Sequence, residues 1–394
     1  MSRAVAAGAR EESQAFSSAR PSATCACQDP GRKLRAGVFF DGTSKNKDVD
    51  LGNGTESNVV RMWIVYREGA VGDGQQVKIY INGVGSMPMG PRVQQAGRQI
   101  ADDTRWYNPL SGPVAVGRHG GRAVADLGHN VAGLIGGAGG KDRLNRAYFW
   151  LKDRCSQFPQ QATKTVDVYG WSRGASLSRT FVNLVNMALR REVPTVSVRF
   201  VGIWDTVGSF GMPGNESDPG QNLYIDSTDA QAIVHQTARH ELRHNFPLTI
   251  VPGIDREYAG EHTDVGGGHP PRDSDGRLNH LTFICLKDIY TASARAGVGL
   301  LPLGRVVPAN VDVEALRRKA DEYAGAQPVM TAPNSPWLRE RAEFFRTYVH
   351  VGNSDWIWGI NYLNPNRTDS SGRRRKFNPR RKRLKGTPPG FDWQ

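Results

Sequence analysis

The sequence predicts an α/β fold with a mainly parallel central sheet flanked by helices, and three observations predict it. Short apolar, β-branched runs alternate with longer segments whose apolar residues recur at helical spacing. The polar residues suited to chemistry fall just past the ends of the apolar runs, where sites form in parallel sheets. One such run, Val166-Asp167-Val168-Tyr169, leads straight into Gly170-Trp171-Ser172-Arg173-Gly174 and then into helix-forming residues. A strand, a sharp glycine-flanked turn and a helix, in that order, leave a serine hydroxyl at the tip of the turn.

Taken in order, residues 34–40 predict a first strand that closes on the turn signal Asp41-Gly42-Thr43. Residues 56–68 predict a helix with Val59, Val60, Trp63 and Ile64 on one side. Residues 77–81 predict a second strand, and a glycine-rich segment runs over 112–140. A helix over 144–155 precedes the strand 166–169, and the helix 175–190 follows Ser172. Residues 196–204 form an apolar strand that ends on Asp205. Residues 230–243 read as helical, 248–251 as a short strand, and 257–260 lead into His262. A long helix is expected over 281–296 and a weaker one over 311–323. The expected organisation is a flexible tail at 1–33, a catalytic domain at 34–300, an appendage packed on it at 301–371 and a basic tail at 372–394.

Composition bounds the function classes. With 38% hydrophobic and 23% charged residues, the 394-residue chain is expected to be soluble and globular, not disordered. Its 45 glycines and 23 prolines imply long loops. No apolar run is long enough to cross a bilayer, and no signal peptide is read at the N-terminus. Four cysteines do not make a disulfide framework in a chain this long, and Cys25-x-Cys27 reads as a thiol pair in a loose tail. Synthesis in a reducing bacterial cytoplasm is the expectation. The formal charge of +13 is concentrated in Arg373 to Lys385, a run that attracts polyanions. It holds one aromatic residue, Phe377, and no stacking pattern, so no specific nucleic-acid partner is expected.

A serine hydroxyl needs an imidazole to take its proton and a carboxylate to orient that imidazole. Asp205 is the favoured acid, because a carboxylate at the end of a buried strand is costly without a partner. His262, in Gly260-Glu261-His262-Thr263-Asp264-Val265-Gly266-Gly267-Gly268, is the favoured base. His350 is the competing base and Asp264 the competing acid, with a supporting role its alternative. Ser172, Asp205 and His262 occur in the chain order of α/β-hydrolases. An oxyanion hole would draw on the Arg173 amide and on the 41–43 loop through Gly42 and Thr43, with Asp41 holding that loop. No cofactor is required, and an assisting divalent cation is left open.

Two alternatives compete. His240-Glu241-Leu242-Arg243-His244 spells H-E-x-x-H, which on a helix would aim two histidines at one zinc with Glu241 as base. No third ligand is evident, and Pro247 would break the helix at once. The other alternative is a non-catalytic module that holds polyanions through the basic tail.

Four motifs in order, Phe39-Phe40-Asp41-Gly42-Thr43, Gly170-Trp171-Ser172-Arg173-Gly174-Ala175, Gly202-Ile203-Trp204-Asp205-Thr206-Val207-Gly208-Ser209 and His262-Thr263-Asp264-Val265-Gly266-Gly267-Gly268, resemble the catalytic domain of the first family of type VI secretion lipase effectors. The resemblance spans about residues 34–300. It implies an α/β-hydrolase fold with Ser172 as nucleophile, Asp205 as acid and His262 as base. It implies hydrolysis of phospholipid acyl esters of the phospholipase A type through an acyl-enzyme, with membrane phospholipid as partner. It further implies an antibacterial toxin carried by a secretion spike or adaptor into a rival cell's periplasm and neutralised by a cognate immunity protein. In that family a helix of the form His-x-x-x-x-Asp-Glu-x-Arg-x-x-Phe-x-Pro is expected. Here His235 opens the corresponding stretch and His240 stands in place of the Asp, so that H-E-x-x-H arises by accident.

Overall fold

The computed structural model describes residues 33–86, 139–208, 210, 221–241, 243, 246–325 and 336–350. The N-terminal tail with Cys25 and Cys27, most of the glycine-rich segment, His244 and the basic tail lie outside the described residues.

Among the described residues seven strands form one sheet: β1 (Lys33–Phe40), β2 (Gly69–Val71), β3 (Gly74–Ile81), β4 (Lys164–Trp171), β5 (Val196–Trp204), β6 (Ala232–Ala238) and β7 (Asp255–Tyr258), in the spatial order β2-β3-β1-β4-β5-β6-β7. Every neighbouring pair is parallel except β2–β3, a short antiparallel ribbon at one edge. The helices are α1 (Lys47–Asn53), α2 (Asn58–Val65), α3 (Gly140–Ser156), α4 (Arg173–Leu184), α5 (His262–Gly266), α6 (Leu281–Arg295), α7 (Val313–Gly325) and α8 (Pro336–Tyr348). A π-helical turn, Val185–Leu189, continues α4.

Pleat alternation splits the core into two layers. Phe39 and Tyr169 point to one face with Phe200 and Trp204, under α2, α6, α7 and α8. Val38, Phe40, Val166 and Val168 point to the other, under α3 and α4. On the first face the ring of Phe39 stacks on Tyr169 with centroids 4.7 Å apart. The central strands are therefore apolar on both sides, as parallel strands covered by helices must be. A buried ion pair sits there: Asp167 on β4 is held by Arg199 on β5 through two hydrogen bonds, of 2.9 and 2.6 Å, and by the Tyr66 hydroxyl at 2.8 Å. Helices α7 and α8, from the stretch read as an appendage, share the first apolar layer through Leu316, Tyr323, Phe344 and Phe345. Among the described residues no helix is long and apolar enough to cross a membrane.

The structure corrects two elements. Residues 230–243 do not form a helix: Ala232–Ala238 is strand β6, parallel to β5 with Phe200 opposite Ala232. Ala and Gln in this stretch favour a helix locally, but Ile233, Val234 and Thr237 fit a pleated surface, and the open edge of β5 supplies the ladder. The family-type helix expected from His235 onward fails for the same reason. The short strand expected at 248–251 is reduced to one isolated bridge between Val207 and Leu248. Helices α1 and α8 were not foreseen; α1 is capped by the Asn46 side chain and closed by Gly54 in the left-handed region.

Candidate active site

The strand ends dictate the site. Trp171 and Trp204 are register partners on β4 and β5, so the next residues, Ser172 and Asp205, lie side by side at the carboxyl edge of the sheet. Ser172 holds φ 60° and ψ −128°, a strained backbone that L-residues rarely adopt. The strain is held on both sides. The Ser172 N–H donates to the Trp204 carbonyl at 3.0 Å, and the Val207 N–H donates to the Ser172 carbonyl at 3.3 Å. Gly174 is required by contact: a Cβ there would lie 2.3 Å from the Phe40 carbonyl oxygen and 2.4 Å from that of Asp41. The start of α4 thus rests directly on the loop after β1.

Asp205 is fully buried at φ 38°, and its carboxylate is used on both oxygens. Oδ1 accepts the Ala238 N–H at 2.8 Å, and Oδ2 lies 2.6 Å from His262 Nδ1. With its proton on Nδ1, the His262 ring donates to Asp205 and leaves Nε2 as the basic nitrogen. His262 is the first residue of α5 and is walled by two rings, Trp171 at 5.1 Å and Phe246 at 4.8 Å between centroids. Gly266 makes room for this wall, since a Cβ there would fall 1.9 Å from Trp171 Nε1.

Strand β6, which supports Asp205 through Ala238, adds a further imidazole. His235 Nδ1 lies 2.6 Å from Asp255 Oδ1, and its Nε2 receives the Thr206 N–H at 3.2 Å, fixing the turn just past Asp205. Sequence reading saw His235 only as a helix start. A period-two reading of β6 would have placed it beside the acid.

The 41–43 loop is held by Asp41. Its carboxylate accepts the Gly42 N–H at 2.7 Å, the Ser57 hydroxyl at 2.6 Å and the Tyr80 hydroxyl at 2.6 Å. Burial pushes the Asp41 carboxyl up to about 6 even though these donors favour its charge. The Gly42 amide, one of the expected oxyanion donors, is engaged by Asp41. The Arg173 amide is the first of α4, and the Arg173 Nε–H donates to Thr43 Oγ1 at 2.8 Å, tying the two halves of the expected oxyanion hole together. Burial, with Arg143 nearby, pulls the Arg173 guanidinium down to about 10.

The competing residues pair with each other. Asp264 Oδ1 lies 2.6 Å from His350 Nδ1, and Asp264 Oδ2 accepts both the His350 N–H and the Glu261 N–H, each at 3.0 Å. Asp264, His269 and His350 are also the described residues whose ligand atoms come within 4.8 Å of one another. The 2.6 Å Asp264–His350 contact is a hydrogen bond, and the His269 and His350 rings stack 17° from parallel. Among the described residues of the H-E-x-x-H stretch, His240, Glu241 and Arg243 are not helical. His240 follows a strand, and its Nδ1 receives the Gly260 N–H at 2.9 Å. Glu241 is engaged by Arg243 at 2.9 and 2.6 Å.

Comparisons with known proteins agree with this architecture. Residues 188–288 match the family model of the type VI secretion phospholipase effector Tle1-like catalytic domain. The matched stretch contains Asp205 and His262; Ser172 precedes it. A solved structure of the Tle1 effector bound to the VgrG spike of the type 6 secretion system is similar at TM-score 0.51 and 18% identity, covering 84% of this chain and 85% of that one. An uncharacterised protein from Pseudomonas aeruginosa aligns at TM-score 0.44 and 20% identity, over 80% of this chain and 53% of that one. No curated protein sequence matches the chain. Residues 188–288 thus resemble the catalytic domain of the Tle1-like type VI secretion phospholipase effectors, and the chain shares the fold of the solved Tle1 effector.

Proposed function

We propose that this chain hydrolyses acyl ester bonds of membrane phospholipids through Ser172, Asp205 and His262. The observation that carries the reading is the 2.6 Å contact of His262 Nδ1 with Asp205 Oδ2 beside a serine on a strained strand-to-helix turn. In that arrangement His262 Nε2 takes the Ser172 proton as the hydroxyl attacks the ester carbonyl. The Asp205 carboxylate stabilises the imidazolium that forms. The Arg173 and Thr43 amides meet the developing oxyanion. His262 then returns the proton to the leaving lysolipid oxygen, and water repeats the sequence on the acyl-enzyme.

Phospholipase A chemistry and delivery as an antibacterial effector are extended from the family. By analogy with the Tle1 effector solved on its VgrG spike, a spike protein is the proposed carrier. A target-cell periplasm is the proposed site of action and an immunity protein the proposed antagonist. The basic run at 373–385 would gather the protein at anionic headgroups, at about 1 kcal/mol per Lys or Arg near the surface. The test is labelling with a fluorophosphonate probe, mass mapping of the modified residue, and release of fatty acid from phospholipid vesicles. Labelling at Ser172 and loss of both signals in Ser172→Ala are expected. Undiminished lipolysis by Ser172→Ala would refute the reading.

A further inference from the structure

We propose that His350 is a positioning residue for His262, acting through Asp264; this rests on the triad reading above. Helix α5 has five residues, too few to hold its shape by its own hydrogen bonds, so the position of His262 at its start depends on its caps. Glu261 is the N-cap, and the reciprocal half of its capping box is the Asp264 carboxylate on the Glu261 N–H. His350, 86 residues further on, grips that same carboxylate twice, with its amide at 3.0 Å and its ring at 2.6 Å.

A second path reaches the same cap. The His269 ring stacks on His350 with centroids 3.8 Å apart, and its Nε2 lies 2.8 Å from Glu261 Oε1. Glu261 in turn pairs with Arg243, and Glu241, the other partner of Arg243, accepts the His262 amide at 3.3 Å. His350 therefore supports the backbone and the side chain of the residue next to His262. It does so from the end of α8, whose Phe345 and whose following residue Val349 are anchored in the core.

The groups facing His350 are mostly acids: Asp264, Glu261 and Asp273, whose Oδ2 lies 3.6 Å from the buried His350 Nε2. The opposing groups are the His269 ring, Arg243 on Glu261 and Arg277 on Asp273, with the Cys285 thiol behind Asp264. Burial works against an imidazolium here, but Asp264, then Glu261 and Asp273, outweigh it and raise the His350 pKa. A raised imidazole pKa means that the charged clamp is complete below the ordinary histidine range. The clamp is lost as pH rises through the raised value.

The test compares wild type, His350→Gln and Asp264→Asn for fluorophosphonate labelling rate and for kcat and KM on one ester across the neutral to alkaline range, with Tm alongside. His350→Gln keeps an N–H donor for Asp264 but carries no charge. The expected result is a kcat lowered about tenfold to a hundredfold with KM nearly unchanged, as for a displaced catalytic group. An alkaline fall of kcat is expected in wild type and should flatten in His350→Gln. A purely structural role would lower Tm and leave the shape of the pH profile unmoved. Ser172 labelled in wild type with an unaltered rate and profile in His350→Gln would overturn this proposal alone. Wild type unlabelled at Ser172 would overturn the triad reading with it.

Discussion

Replacing Asp205 by Asn tests the triad at its most constrained atom pair. The two carboxylate oxygens face two donors, the Ala238 N–H at 2.8 Å and His262 Nδ1 at 2.6 Å. An amide keeps only one acceptor. Turned with its NH₂ toward Ala238, it would set donor against donor at a buried backbone amide, at a cost of about 1–3 kcal/mol. The side chain must therefore present its NH₂ to His262. The imidazole then accepts at Nδ1 and carries its proton on Nε2, where Ser172 needs a base. The shape of the site survives and its proton is misplaced. A loss of about 10⁴ in kcat is expected, which is roughly 5 kcal/mol of transition-state stabilisation. Steady-state hydrolysis of a soluble ester and of phospholipid vesicles would measure it, with thermal unfolding as the control. The Tm should stay close to wild type, since each polar atom still has a partner. A kcat within tenfold of wild type, or a loss of activity that simply follows a fall in Tm, would refute the assignment.

Other consequences can be checked together. Gly266→Ala places a methyl 1.9 Å from Trp171 Nε1, so the indole must move off His262; a destabilisation of about 1–3 kcal/mol by denaturant melting and a larger fractional loss of kcat are expected. Asp41 has a carboxyl raised from 3.8 to about 6 by burial, so its ionisation costs the fold stability as pH rises through that interval. The folded state holds the proton more tightly than the unfolded chain, and the penalty is complete above about pH 7 and fades toward about pH 4. Asp41→Asn has no such titration. Its stability relative to wild type should improve by about 2 kcal/mol from about pH 4 to about pH 8, read from urea melts at the two pH values.

Local patterns in the sequence carried most of the elements. Runs such as residues 34–40 and 196–204 are apolar on both pleat faces and could only be strands buried under helices, and the 281–296 segment has helical spacing throughout. The stretch 230–243 was misread because its Ala and Gln content has a weak helical preference that the edge of β5 overrides. A five-residue helix such as α5, set by its caps, leaves no periodicity to read.

The elbow is legible in consecutive residues: a glycine-flanked serine between an apolar strand and a helix is a local instruction. The sequence by itself also nominated two acids, Asp205 and Asp264, and two imidazoles, His262 and His350. It ranked Asp205 and His262 first, but which acid meets which imidazole depends on which strand ends become neighbours, and that is a property of the packed sheet. Parallel pairing of β4 with β5 sets Asp205 beside Ser172, and β6 and β7 carry the chain back so that α5 brings His262 onto Asp205. The return of α8 then consumes Asp264 with His350. The same packing joins His240 to Gly260, since a hydrogen bond between residues far apart in sequence is a property of the packed sheet and of no local run of residues.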